Sequence, residues 1–490
     1  MTTTTASPNL SAPFRRGPLA VLLTGIFLIV LDFFIVNVAL PSVQQDLDAS
    51  PTALQWLLAG YALTFGGLLL VASRLADRWG RRRVFVIGVE LFVLSSLACG
   101  LAPDVELLVA ARLVQGAAAA MVAPTVLSLI GDTYDGPHRV RALGAYATVM
   151  GVAAASGQLI GGLLIDLDVA GAGWRSIFLV HVPVGLAALV AAPRLLPETR
   201  VPAPRPDVVE TVLVVGALTA LVLPLVQGQS EGWPLWTWLT LAGSVVLGEL
   251  AVLRGRALRR AGTTPLIDVT PMRSRAVGGG QLGQLLLFTG MAAYFFVLAL
   301  YLQDGRGLGP LASGAVFTAV AVPYIVGSKY AAAVLGRLGP RRAIVAAALT
   351  FGLGHLLLLE AVVAIGVGGS VLWLLPGLAI GGLGMGVALS GLVGTVMMSV
   401  TPEQAGLVSG TSSTIQQVAN ALGVALVGAI FFGRIDRGMV EAFEAGLVYL
   451  VATTVAVAAA AAMLPGRSRT RPGPDETQSL TAATSSSAAV

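Results

Sequence analysis

Two residues interrupt long apolar runs with groups that hold charge. Asp32 stands in the middle of "LTGIFLIVLDFFIVNVALP" (23–41), and Arg112 opens "RLVQGAAAAMVAP" (112–124). A carboxylate held in an apolar medium beside a guanidinium suits reversible proton binding: burial favours the protonated acid, the arginine favours the ionised one, and a change in their separation or hydration moves a proton. Asp32 lies nine residues before Pro41, roughly 13 Å along a helix, and Arg112 lies roughly 8 Å inside its own run, so the two share one layer and can meet. A static ion pair locking two helices is the alternative. Glu360, in "HLLLLEAVVA" (355–364), is a second acid in apolar surroundings, with His355 five positions earlier. Other chemistries find no support. The only lysine, Lys329, follows Ser328, so no P-loop G-K step exists, and no H-E-x-x-H or paired-aspartate motif occurs. The three histidines, 138, 181 and 355, sit in distant segments, and Cys99 is alone. No metal or organic cofactor is implied, and the chain does not read as an enzyme.

The elements that must position these groups follow from composition. Charged residues make up 11% of the 490-residue chain and apolar ones 56%, against about 25% charged in an ordinary soluble domain. Apolar runs long enough to cross a bilayer recur at 19–41, 52–72, 84–103, 107–131, 141–165, 175–195, 208–228, 235–253, 277–302, 312–334, 342–366, 371–397, 405–432 and 445–464. The alternating pattern of a barrel is absent, and each run must satisfy its own backbone, so these are fourteen transmembrane helices and the fold is all-α. With the N-terminus inside, only Arg175, Arg306, Arg434 and Arg437 of the 30 cations fall outside, and Arg112 and Lys329 lie within spans. The net charge of +5 is thus a topology signal at lipid head groups, not a nucleic-acid surface. Arg15 and Arg16 before an apolar run resemble a signal peptide, but the run is too long and lacks an A-x-A site, so the first span is expected to stay attached.

Residues 1–17 and 466–490, rich in Thr, Ser, Pro and Ala, are expected to be disordered cytoplasmic tails. The loops at 196–207 and 254–276 bracket two spans, dividing the chain into a six-helix bundle (18–197), an inserted pair (208–253) and a second six-helix bundle (277–464). "SRLADRWGRRRVF" (73–85) and "GRLGPRRAI" (336–344) occupy matching places in the two sets of six, an echo that repeated halves would leave and that the positive-inside rule could also produce.

Taken together, the motifs resemble the fourteen-span drug:proton antiporters of the major facilitator superfamily. "LDFFIVNVALP" is similar to that family's acidic first-helix motif, and "SRLADRWGRRRVF" to the superfamily's G-x-L-a-D-r-x-G-r-k loop, with Ser73 for the first glycine. "RLVQG" matches R-x-x-q-G through Arg112, Gln115 and Gly116. "SGQLIGGLL" resembles the antiporter motif G-P-x-x-G-G at Gly157, Gly161 and Gly162, with Gln158 for proline. "WRSIFLVHVPVG" (174–185) resembles W-R-W-I-F-x-x-N-x-P-x-G, with His181 for asparagine.

The resemblance implies proton-coupled export of amphipathic or cationic small molecules by alternating access, in a bacterial cytoplasmic membrane with both termini inside, by a monomer whose partners are substrate, protons and lipid. Proton-coupled import of a nutrient on the same scaffold is the alternative, and a membrane enzyme is disfavoured. Asp32, Arg112 and Glu360 are the expected coupling residues. Asp77, Gly80, Arg81 and Arg82 form an expected gating loop or, more plainly, a topology anchor. Gly157, Gln158, Gly161 and Gly162 mark the helix expected to move. Asn37, Gln115, Gln416, Asn420 and Lys329 are candidates to line a substrate cavity; Gln416 and Asn420 share a face at i,i+4 or bond between helices, and Lys329 either faces the interior or snorkels to head groups.

Overall fold

A computed structural model describes residues 14–201, 206–266 and 269–465, and backbone alone at 402, 403, 405 and 407. The expected disordered tails therefore fall largely outside the described residues. Among the described residues there is no strand, and fourteen helices are long and apolar enough to span a membrane. In chain order they are α1 (Arg16–Leu47), α2 (Pro51–Trp79), α3 (Arg81–Gly100), α4 (Val105–Thr133), α5 (Gly136–Leu167), α6 (Gly173–Leu195), α7 (Val208–Gln227) and α8 (Leu235–Arg260). The second set is α9 (Arg275–Gly305), α10 (Pro310–Leu338), α11 (Pro340–Ile365), α12 (Val371–Met398), α13 (Val408–Arg437) and α14 (Met439–Ala462).

Several helices outrun the apolar stretches that predicted them. The first continues through Pro41 to Leu47, since a proline in a membrane helix frees one carbonyl that neighbouring groups can satisfy. "RGRALRR", expected as loop, is the last two turns of α8, where arginine is a good helix former and its charge suits the negative helix end.

Packing reveals the repeat that the two arginine loops hinted at. In the first six helices α2 and α3 pack on α4, α1 packs on α5, and α6 packs on α1 and α3. The same pattern recurs eight helices later: α10 and α11 on α12, α9 on α13, and α14 on α9 and α11. The contacts between the halves obey the same correspondence, because α2 against α13 maps onto α10 against α5. The turns match too: Gly80 (φ 112°) and Gly339 (φ 79°) occupy equivalent places between their second and third helices, with a backbone that L side chains resist. The inserted α7 and α8 pack on each other, and α7 leans on α2 and α13. Asp207 caps α7 and meets Arg254 of α8 at 2.7 Å; that bond, then the Glu210 amide, holds its carboxyl below the usual carboxylate range. Glu249 of α8 is exposed.

Burial is uneven from one face to the other. Toward the face away from the arginine loops, one apolar core runs from α1 (Leu31, Ile35, Leu40) into α9 (Phe295, Leu298, Leu302) and α10 (Phe317). Toward the arginine face, the first bundle keeps a separate core built on Leu22, Phe65, Phe85 and Val126. The shared core therefore lies toward the end away from the arginine loops.

Candidate proton-coupling site and gates

Five of the first six helices send side chains to one buried point. Arg112 of α4 and Asp32 of α1 meet at 2.6 Å with both side chains at 0% exposure, the contact that their depths foretold. Arg112 also donates through Nε to the Leu57 carbonyl of α2 (3.0 Å) and through Nη1 to Gln115 Oε1 (2.6 Å). Gln115 closes the ring by donating to Asp32 Oδ1 (3.1 Å) and to Ser96 of α3 (2.8 Å), with the Cys99 thiol 3.8 Å from its amide oxygen. The guanidinium lies 4.3 Å from the centre of the Tyr61 ring, a cation–π contact. An ionised carboxylate at this depth costs about 2.5–3.5 kcal/mol on insertion scales, and an ion pair stripped of one member leaves a charge without compensation. The ring of hydrogen bonds is what makes the pair tolerable, and it also ties α1 to α4.

His181 was read from sequence only as a departure from a motif, yet α6 delivers it to this point. Its Nδ1 lies 3.8 Å from Asp32 Oδ1, beyond hydrogen-bond reach, and both ring nitrogens are buried without a hydrogen-bond partner among the described residues. A histidine inside an apolar span was the available signal. Tyr61 OH and Arg112 Nη2 are likewise buried and unpaired.

The other sequence candidates divide. Asn37 is buried but bonds its own helix, to the carbonyls of Phe33 (3.1 Å) and Phe34. On α13 Asn420 is buried and donates to Gln417 (3.3 Å), which lies against Gly66 of α2, while Gln416 is half-buried. Glu360, expected to face the interior as a coupling residue, is exposed on α11; the packing of Leu358 and Val362 against the core rotates it outward, and no ion pair to it occurs among the described residues. Lys329 is exposed on α10, 5.8 Å from the Tyr330 ring, and among the described residues pairs with no carboxylate.

The glycine motif of α5 marks the outer closure. A Cβ on Gly157 would lie 2.8 Å from Phe34 Cβ, and one on Gly161 would lie 2.7 Å from Ile35 and Val38, so these glycines seat α5 on α1. Gly162 faces the other way, onto the backbone of Pro310 and Leu311 in α10, and Gly314 of α10 returns the contact against Gln158. Gln158 is 2% exposed and its amide is unpaired, as is the Ser313 hydroxyl on the facing helix. Phe34 meets Phe295 edge-on at 5.4 Å, Phe295 stacks on Phe317, and Gln303 donates to the Val38 carbonyl (2.9 Å), completing the plug. At the opposite end α5 (139–144) and α10 (329–337) are largely exposed, and a Cβ on Gly144, Gly151 or Gly336 would touch nothing. α5 and α10 are thus closed on each other at the end away from the arginine loops and apart at the arginine end.

The first arginine loop is latched within its own bundle. Arg81 bridges Asp77 (2.8 Å) and Asp132 at the end of α4 (2.6 Å), while Thr199 donates to Asp132 (2.5 Å). Arg82 reaches Glu198 (3.4 Å) and the carbonyls of Pro193 and Leu196, and Gly80 leaves space that a side chain would take from Glu198. Asp132 was missed from sequence because it sits at a helix end far along the chain. The second loop has Gly336 and Pro340 where the first has Asp77 and Arg81, so it lacks this pairing. Asp132→Asn is expected to slow transport severalfold and lower the melting temperature by a few degrees, since charge-assisted bonds contribute about 1.5–3 kcal/mol each; unchanged values in a reconstituted transport assay and a thermal melt would remove the latch.

Two repeated helical bundles fused at one end, a buried ion pair within one of them and glycine-seated gating helices define a membrane carrier of the alternating-access class. The Major Facilitator Superfamily model matches residues 22–263 and 282–488. The chain is 38% identical over 424 residues to the probable actinorhodin transporter of Streptomyces coelicolor, covering 86% of this chain and 73% of that protein. It is equally 38% identical over 430 residues to the puromycin resistance protein pur8 of Streptomyces alboniger, at 86% and 82% coverage. Among solved structures, the POT family transporter PepTSo superposes with a TM-score of 0.67 over 92% of this chain and 98% of that one, at 13% identity, a likeness of fold alone. The chain belongs to the Major Facilitator Superfamily.

Proposed function

We propose that the protein exports amphipathic or cationic small molecules, such as antibiotics, drugs and dyes, in exchange for protons, from a bacterial cytoplasmic membrane with both termini inside. The observation that carries this reading is the Asp32–Arg112 pair, fully buried in a state closed to the outside. A carboxylate so placed exchanges its proton only when the bundles rearrange, which is what coupling requires. The arginine-rich loops lie on the open side, so by the positive-inside rule this state faces the cytoplasm and receives cargo there. Relatives support the direction of transport: besides the two above, a cephamycin export protein of Amycolatopsis lactamdurans is 36% identical over 421 residues, at 82% coverage of each chain.

In the proposed cycle the bundles rock about the α2–α13 and α5–α10 contacts as monomeric machinery. Opening outward parts Gly162 from Pro310 and hydrates Asp32, which takes a proton; returning inward releases it. Cells that express the protein and are loaded with ethidium are expected to retain more dye when a proton uncoupler is added than when the gradient is intact. Equal retention with and without uncoupler contradicts proton-driven export.

A further inference from the structure

Of the groups at the buried centre, His181 is the one whose side chain has every polar atom outside the hydrogen-bond ring and can also change charge near neutral pH. Its ring is fully buried, edge-on to Phe92 at 5.6 Å, and neither nitrogen has a partner among the described residues. Burying a polar group without a hydrogen bond is costly, so a side chain held in this way either has a partner in another state or takes part in the chemistry. The titratable groups gathered at this centre are Asp32 from α1, which faces the imidazole, and, around the Asp32–Arg112 pair, Tyr61 from α2, Cys99 from α3 and Arg112 from α4, with Gln115 bonded to Asp32 and Arg112. Among these Asp32 is the only carboxylate, and its Oδ1 lies 3.8 Å from Nδ1 of the imidazole. A shift of about 1 Å closes this to hydrogen-bond distance.

We propose that His181 is a second proton-carrying residue of the coupling centre, exchanging a proton with Asp32. In the transfer the imidazolium Nδ1–H bond breaks and an O–H bond forms on Asp32 Oδ1, leaving a neutral imidazole and a neutral carboxylic acid; the reverse restores both charges. With Asp32 neutral, Arg112 keeps Leu57 and Gln115 but loses its ionic partner, and α1 is freed from α4. His181 thereby gives the proton a place to stand while the ion pair is intact, and removing it makes the carboxylate load and unload without an intermediate acceptor. The inference deepens the proposed coupling and rests on it.

Histidine labelled with ¹³C and ¹⁵N supplies the first test, on the full chain in lipid nanodiscs without substrate. Of three histidine signals, the one that disappears in His181→Asn is expected to titrate, and its midpoint is expected to move by about one pH unit in Asp32→Asn. A signal that keeps one protonation state from pH 5 to 9, or titrates identically in Asp32→Asn, overturns the proposal. In everted vesicles with ethidium, His181→Asn is expected to lower the proton-driven rate about tenfold and flatten its pH dependence, with KM moving less than about twofold. An unaltered pH profile also overturns it, as does His181→Gln or His181→Asn failing equally in substrate binding, the mark of a purely structural histidine. Absence of any pH-driven ethidium transport by the parent would count against the export reading, while the histidine titration would still decide the pairing.

Discussion

Replacing Asp32 by Asn is expected to lower proton-driven export by two orders of magnitude or more while the protein still inserts and folds. The amide fills the space of the carboxylate and accepts from Arg112, yet it cannot take up a proton, so the gradient loses its handle on the two states; a ligand shifts an equilibrium only by its differential affinity. Arg112 then becomes an uncompensated buried cation. Stripping one member from a buried pair costs about 3–5 kcal/mol, and the surviving bonds to Leu57 and Gln115 place this case toward the lower end. The double variant Asp32→Asn/Arg112→Gln removes both members of the buried pair and is expected to regain the lost melting temperature without regaining transport. This divergence separates coupling from architecture. Thermal melts in detergent and pH-driven uptake into everted vesicles measure the two quantities. Asp32→Asn driven at the parent rate, or a double variant that recovers export together with stability, would remove the aspartate from the mechanism.

How much of this was legible in the sequence depends on which physical rule places each residue. Span number follows from apolar length, which acts on the chain before any helix packs, and the fourteen helices appear where that rule put them. The meeting of Asp32 and Arg112 was also legible, because depth in a membrane is nearly a function of sequence position and two opposite charges at equal depth in an apolar medium seek each other. Helix rotation was not legible. It is set by which face finds a complementary neighbour, and nearly every face here is apolar; so Glu360 turns outward beside a core-facing Leu358, and Gln417 displaces Gln416 at the α2 contact. Contacts between distant loops were hidden for another reason. Asp132 meets Arg81 only because α4 returns to the same membrane face, and nothing local to "GDTYDG" announces it.

The glycines belong to a third category, legible as a motif but not in their division of labour. Gly157 and Gly161 fasten α5 to its own bundle, whereas Gly162 alone of the three touches the other half. A Cβ there would lie 2.8 Å from Leu311 Cα and closer still to the Pro310 carbonyl, and backbone cannot yield as a side-chain tip would. Gly162→Val must therefore push α10 away and open the outer plug. Overpacking of this kind costs about 1–3 kcal/mol, a fivefold to hundredfold shift in the balance between closed and open outer gates. Because the substitution leaves the ion-pair ring untouched, the expected result is a carrier that folds, faces outward and turns over about tenfold more slowly. A cysteine in place of Ser313, buried at the same contact, in a Cys99→Ser background reports the state: a membrane-impermeant maleimide added outside is expected to label it about ten times faster in the Gly162→Val protein. Gly151→Ala is the internal control, on the same helix but facing open space, and is expected to change neither rate by more than about twofold. Parent-like labelling and transport in Gly162→Val would mean that α5 and α10 do not close the outer gate, and the rocking motion would have to pivot elsewhere.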